Sequence, residues 1–169
     1  AVEPDFFVRD MLTWALTRFP REVAVPRLLV ELRSPRAQAR SQALHTLSKI
    51  GDRSAWPAIT RSLLCDSDDS VAQSAWRAAV VLVPEDHKAG LAEELAGQLG
   101  RGDRDTQLSL SSALVSLGGA VIEPVLRRAM ASDDLGVRTH AYATDRFLRD
   151  PDAGFQHAIN QVKRILAPK

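Results

Sequence analysis

The sequence predicts an all-α fold assembled as a stack of about five helix pairs, and three observations predict it. First, the chain repeats itself. The pairs Val8-Arg9, Ala39-Arg40, Val71-Ala72, Thr106-Gln107 and Val137-Arg138 follow one another at spacings of 31, 32, 35 and 31 residues, and a period of this length is the mark of stacked supersecondary units. Second, each pair opens the same apolar stripe. Counted from the second residue of each pair, offsets 3, 7 and 10 read Leu12, Leu16, Phe19; Ala43, Leu47, Ile50; Ala75, Ala79, Leu82; Leu110, Leu114, Leu117; and Ala141, Asp145, Leu148. At about 3.6 residues per turn these offsets share one helix face. Third, hydrophobic residues make up 45% of the chain but aromatics only 5%. A core of Leu, Val, Ile and Ala suits helix packing better than a β-sandwich.

Residues 4–19 form a long helix with no short helix before it, a half repeat. Four pairs follow at 22–50, 54–83, 87–118 and 120–149, and an amphipathic helix at 152–166, bearing Phe155, Ile159, Val162 and Leu166, closes the stack. The short first helices carry Pro26, Pro57 and Pro124 near their starts, where a missing N–H costs nothing and a fixed φ suits the first turn. Ser34-Pro35, Ser67-Asp68-Asp69 and Ser132-Asp133-Asp134 supply caps and carboxylates for helix starts. Gly51, Gly100 and Gly118-Gly119 mark helix stops. Burying a Leu or Ile is worth about 1.5–3 kcal/mol, and each pair gains it only by stacking on a neighbour. Residues 1–169 are therefore expected to form a single domain. The half repeat is either an abbreviated cap or the end of a natural chain that continues upstream, and continuation is the expectation.

A Pro early in the first helix, acids in the turn and a Val-Arg pair opening the second helix are carried here by Pro26, Pro57 and Pro124, by Asp68, Asp69, Asp133 and Asp134, and by Val8-Arg9 and Val137-Arg138. In these features nearly the whole chain resembles the HEAT repeat family, including the bacterial HEAT-like repeats first named from phycobilin lyases. The copy at 88–118 departs most, lacking both the Pro and the Val-Arg pair. The resemblance implies a right-handed α-solenoid, a superhelix of HEAT-like pairs, that binds proteins and sometimes nucleic acids across a concave surface of second helices. It implies no single activity. The turn acids and Arg9, Arg40 and Arg138 are expected to form a structural ladder.

Charge and cysteine usage exclude several classes of function. Net charge is +1, so no global field draws the chain to nucleic acid or to an anionic membrane. Cys65 is the single cysteine, which excludes an internal disulfide framework, and its apolar setting beside Asp66 is that of a packed thiol. No apolar run reaches the length of a membrane span and no signal peptide is visible, so the expected location is the cytoplasm and no membrane partner is expected. Lysines are confined to Lys49, Lys88, Lys163 and Lys169 against many arginines, a bias that points to a bacterial source.

The outward face of the second helices carries the candidate site. Offsets 2, 5 and 9 read Met11, Trp14, Arg18; Gln42, His45, Lys49; Ser74, Arg77, Val81; Ser109, Ser112, Ser116; and His140, Ala143, Phe147, with no carboxylate among the fifteen. Arg18, Lys49 and Arg77 form a basic strip with Trp14 and His45 beside it. The expected partner-binding residues are thus Met11, Trp14, Arg18, His45, Lys49, Arg77 and His140, forming a groove for an acidic peptide of a protein partner or for a phosphate-bearing partner. Trp56 and Trp76 are expected to pack, each with a partner for its indole N–H. Asp145, polar within the core stripe, must be paired or solvated, and His140, Tyr142 and Arg149 are its candidate neighbours.

No catalytic constellation emerges. His45, His87, His140 and His157 never stand at helical ligand spacing, and no His-Glu pair recurs as in the HEAT-repeat iron hydroxylases, so no metal or cofactor is expected. Gly100-Arg101-Gly102 is a turn and not a phosphate loop. Ser109, Ser111, Ser112 and Ser116 have no base paired with them in sequence. HEAT-like alkylpurine DNA glycosylases need a Trp followed one turn later by an Asp, whereas here Arg18 follows Trp14 and Val80 follows Trp76. The expectation is a non-catalytic scaffold for protein–protein interaction. The alternative is a nucleic-acid-binding solenoid of glycosylase-like fold without the catalytic signature.

Overall fold

The computed structural model describes residues 5–150 and Ile159, and within them every element is helical. The chain divides into two compact units, Ala1–Pro84 and Glu85–Lys169. The first holds α1 (Phe6–Thr17), α2 (Arg21–Glu31), α3 (Ala37–Ile50), a 3-10 segment (Arg53–Ala58), α4 (Arg61–Leu64) and α5 (Asp69–Leu82). The second holds a 3-10 segment (Glu85–His87), α6 (Lys88–Ala96), α7 (Arg104–Ser116), α8 (Gly119–Met130) and α9 (Leu135–Arg149). Among the described residues no helix is long and apolar enough to cross a membrane.

The longer helices start on a recurring cap. Asp5, Asp68, Asp103 and Asp134 accept backbone N–H groups at the starts of α1, α5, α7 and α9, and each stands four residues before Arg9, Ala72, Gln107 or Arg138. A carboxylate there satisfies orphan donors and meets the positive end of the helix dipole. The Thr106 N–H accordingly holds the Asp103 carboxyl below the ordinary range. Among the second helices α3 is the exception. Its capping position is Arg36, which makes no side-chain cap, and Ser34 Oγ accepts the Arg36 N–H at 3.3 Å instead. Gly51 ends α3 with φ 68°, a left-handed conformation that glycine adopts without strain.

In the first unit, α3 and α5 pack on each other through Ala43, Leu44, Leu47, Ala75, Ala79 and Leu82, all buried. Trp76 is fully buried and donates its indole N–H to the Leu64 carbonyl at 2.8 Å, as a packed tryptophan requires. In the second unit, Leu95, Leu110, Leu114, Ile122, Leu126 and Ala141 are buried, with α8 against α9 and against α6. Ile159 is helical and buried against Ala143, with Leu108 and Phe147 packed beside them. The rest of the helix expected at 152–166 lies outside the described residues.

Three expectations are corrected. Pro26 and Pro124 stand six residues into α2 and α8, because those helices begin a turn earlier, at Arg21 after Pro20 and at Gly119 after Gly118. Each proline therefore removes one interior backbone hydrogen bond, and its placement is not free. The short helix expected across 56–64 is split. Pro57 lies in the 3-10 segment, and the extended backbone of Thr60 (φ −81°, ψ 159°) separates it from the single turn of α4. Finally, the apolar stripe of α1 is open: Leu12 is 51% and Phe19 56% exposed, while the same offsets in α5 and α7 are buried. The helix instead turns buried Thr13 towards Thr46 of α3.

Candidate functional site

The second helices are joined by polar seams whose members stand 33 residues apart. Thr13 meets Thr46 at 3.5 Å between α1 and α3, and Ser41 meets Ser74 at 2.9 Å between α3 and α5. Ser111 meets Thr144 at 2.7 Å between α7 and α9. Ser41 gives its one hydroxyl proton to the Ser70 carbonyl at 3.1 Å, so Ser74 donates in the Ser41–Ser74 bond. Arg77 Nη2 in turn donates to Ser74 Oγ at 3.4 Å. Gln42 Nε2 donates to Thr13 Oγ1 at 2.6 Å.

These seams floor a cavity of about 260 Å³ lined by Asp10, Thr13, Ser41, Gln42, His45, Ser74 and Arg77. Four of the fifteen positions read from sequence as the outward face, Gln42, His45, Ser74 and Arg77, thus converge on one pocket from α3 and α5. Burial, then the Lys49 and Arg77 cations, hold the half-buried His45 imidazole below its ordinary range, and Asp10 pulls the other way. Lys49 and Arg77 are exposed. Beyond its bond to Ser74, Arg77 has no ion pair among the described residues.

Helix α1 supplies the aromatic neighbour. Met11 is 62% and Trp14 54% exposed, and the exposed Arg18 places its guanidinium carbon 4.3 Å from the centre of the Trp14 ring, a cation–π pair. Trp14 follows Asp10 by four residues, so the two share a helix face. Asp10, Thr13 and Ser41 are pocket residues that the offset rule missed, because they stand one or four residues after the anchor pairs and not at its chosen offsets. Recurrent hydroxyls at neighbouring positions (Thr13 with Ser111, Thr46 with Thr144) were the available signal.

His140 is placed elsewhere. It lies in the second unit and is 1% exposed, so it is not on an outward face; Ser74 and Ala143 are buried as well. Its Nδ1 accepts the Gly100 N–H at 3.0 Å, which puts the ring proton on Nε2. That Nε2–H faces Ser111 Oγ at 2.9 Å and the Gln107 carbonyl at 3.0 Å. Thr144 spends its proton on the His140 carbonyl, so Ser111 donates to Thr144 Oγ1. The structure therefore pairs a serine with a histidine that no sequence spacing revealed. The Ser111 proton points away from the ring, and the ring nitrogen facing Ser111 is already protonated. The geometry is that of a satisfied internal network, not of a nucleophile and its base. Burial pushes the His140 pKa down to about 4, against the pull of the Gln107 carbonyl. Gly100, at φ 86°, permits the close approach: a Cβ there would meet the Val137 nitrogen at 3.1 Å.

A larger cavity of about 550 Å³ lies on the other side of α3, lined by residues that include Leu29, Leu32, Arg40, Leu63 and Asp66. Its Arg40 and Asp66 are paired with each other. Arg40 Nε and Nη2 donate to the two Asp66 oxygens at 3.1 and 3.2 Å, and Nη1 donates to the Ser34 carbonyl. Arg138 makes the corresponding bond to the Ser132 carbonyl at 2.6 Å, again six residues back. Arg40 and Arg138 are thus structural, but through Asp66 and backbone carbonyls, while Asp68 and Asp134 of the expected ladder cap helices instead; the side chain of Arg9 lies outside the described ones. Asp145 is held by Arg149 Nε and Nη2 at 2.9 and 3.0 Å. Among the described residues no three His, Cys, Asp or Glu side chains gather as a metal site. No protein-family model matches the chain, and no curated protein matches it.

Proposed function

We propose that this chain is a non-catalytic, HEAT-like scaffold, a right-handed α-solenoid that binds an acidic segment of a protein partner along its second helices. The observation that carries the reading is the convergence of His45, Arg77, Gln42 and Ser74 on one pocket, with Lys49 acting on His45 and the exposed Trp14–Arg18 pair on the helix that forms one wall. Exposed aromatic and Arg side chains beside a polar pocket are the composition of an interface centre. The repeating architecture is supported by hydroxyl pairs at a constant 33-residue separation and by the matching Arg40–Ser34 and Arg138–Ser132 bonds.

The test is titration of a labelled acidic peptide and of a single-stranded oligonucleotide of similar charge, each at low and physiological salt. A protein-binding face retains the peptide at physiological salt and loses affinity in Trp14→Ala and Arg77→Glu. Tighter oligonucleotide binding that collapses with salt and depends on Arg18, Lys49 and Arg77 together would replace this reading by a nucleic-acid-binding one.

A further inference from the structure

We propose that the pocket between α1, α3 and α5 is a proton-coupled oxyanion site, taking one carboxylate side chain of an acidic partner segment together with a proton that lands on His45. This rests on the binding reading above and adds to it the group that is recognised and the pH dependence of recognition.

Size selects the kind of ligand. At about 260 Å³ the cavity is smaller than the roughly 300–1,000 Å³ of sites that enclose a small molecule, and it suits the end of one side chain. Charge selects its sign. With His45 neutral, the Arg77 and Lys49 cations exceed the Asp10 anion by one, so a carboxylate completes the balance. Donor geometry selects its shape. Arg77 carries five N–H groups, of which one reaches Ser74, so its planar fork is open to a two-pronged carboxylate. Arg40, on α3, shows the spent alternative, with that fork already on Asp66.

His45 then couples the site to protons. The charged groups that act on it are Lys49 from its own helix, Arg77 from α5 and Asp10 from α1, and burial with the two cations disfavours the charged ring. A carboxylate within a few ångströms favours the charged imidazole, and linkage requires that a ligand which favours protonation binds the protonated form more tightly. Affinity therefore rises as pH falls. Asp10 competes with the ligand for the same cations, so it acts as a built-in brake on the site.

The experiment uses the full chain and an end-blocked, fluorescent hexaglutamate peptide, titrated at pH 8 and pH 6 at constant ionic strength, with calorimetry in two buffers of different ionisation enthalpy. The expected result is tightening of about tenfold at the lower pH with net proton uptake. Arg77→Gln weakens binding about tenfold at both pH values. His45→Gln loses the pH dependence and the proton uptake, and Asp10→Asn binds more tightly than the parent. Arg77-sensitive binding that is flat with pH, with no proton taken up, overturns the coupling and leaves the binding reading intact. Peptide binding indifferent to Arg77→Gln and Asp10→Asn removes the ligand from this pocket, and no peptide binding at all overturns both readings. Inorganic phosphate displacing the peptide more effectively than free glutamate does overturns the carboxylate assignment in favour of a phosphate.

Discussion

The α3–α5 seam of the first unit and the α7–α9 seam of the second are built on the same 33-residue spacing and end in opposite results. Two residues after the anchor pair, α5 carries Ser74 and α9 carries His140. The small serine bonds to Ser41 and leaves room above it, which becomes part of the cavity lined by His45 and Arg77. The imidazole instead crosses the seam, reaches Ser111, the Gln107 carbonyl and the Gly100 N–H, and is buried along with Ser111. One side-chain volume at one position thus separates an open polar pocket from a sealed network. A helix face is not a uniform binding surface, and each seam is opened or closed by the residue at this position.

The sealed seam supplies the largest expected effects. His140→Ala removes a buried ring and leaves the Gly100 N–H and the Gln107 carbonyl short of a partner, a loss of about 4 kcal/mol. Denaturant titration of the full chain, compared with Arg77→Ala in the open seam, measures it. Equal losses in the two variants would break the contrast between sealed and open. The second effect follows from proton linkage. The folded-state pKa of His140 is about 4, below its ordinary 6.5, so the unfolded chain takes up the proton first. The stabilisation is complete above about pH 6.5, declines as pH falls towards 4, and amounts to about 3 kcal/mol in all. Since His45 is displaced in the same direction, the quantity to measure is the difference in acid sensitivity between the parent chain and His140→Asn. A difference that does not grow between pH 6.5 and 4 would show that the ring is not held neutral by the fold.

Transplanting the sealing residue sharpens the comparison from the other side. Ser74→His puts an imidazole at the seam of the first unit that corresponds to that of His140. The expected outcome is closure of the pocket, with acidic-peptide affinity falling about tenfold, equivalent to about 1.4 kcal/mol, while thermal unfolding shows the chain still folded. Undiminished binding would mean that the peptide lies on Trp14 and Arg18 and does not enter the cavity.

Much of this was legible in the sequence, for reasons that can be located. The second helices were readable because their apolar stripes and carboxylate caps are local signals, as Ala75, Ala79, Leu82 and Asp68 show in α5. Pro26 and Pro124 misled because proline signals a first turn only on average, and here Pro20 and Gly118 precede the true starts. The open stripe of α1 could not be read, since Leu12 and Leu47 look alike until a neighbour covers one of them. Spacing alone put His45 and Arg77 on one face, and both line the cavity. Asp10 and the buried fate of His140 were not legible that way, because both depend on which side chain fills the space between helices.

The smallest expected effect concerns the one polar residue of the core stripe. Asp145 occupies the offset filled by Leu47, Ala79 and Leu114 in α3, α5 and α7, and a carboxylate buried there without compensation would be costly. Its side chain keeps 17% exposure, and Arg149, one turn later and 68% exposed, clasps both carboxylate oxygens. The acid precedes the base by four residues, the order that suits the helix dipole, and the hydrogen bonds that Arg149 donates to Asp145, then the Asp145 charge, raise the Arg149 pKa above its ordinary value. A pair whose cation is largely in water contributes little, because Arg149 is solvated nearly as well without it and salt screens the attraction. Asp145→Asn is therefore expected to unfold at a temperature indistinguishable from the parent in high salt and only slightly lower in low salt. A large, salt-independent loss would mean that Asp145 faces a second partner inside the second unit, and would place a buried polar group in α9 to set beside His140.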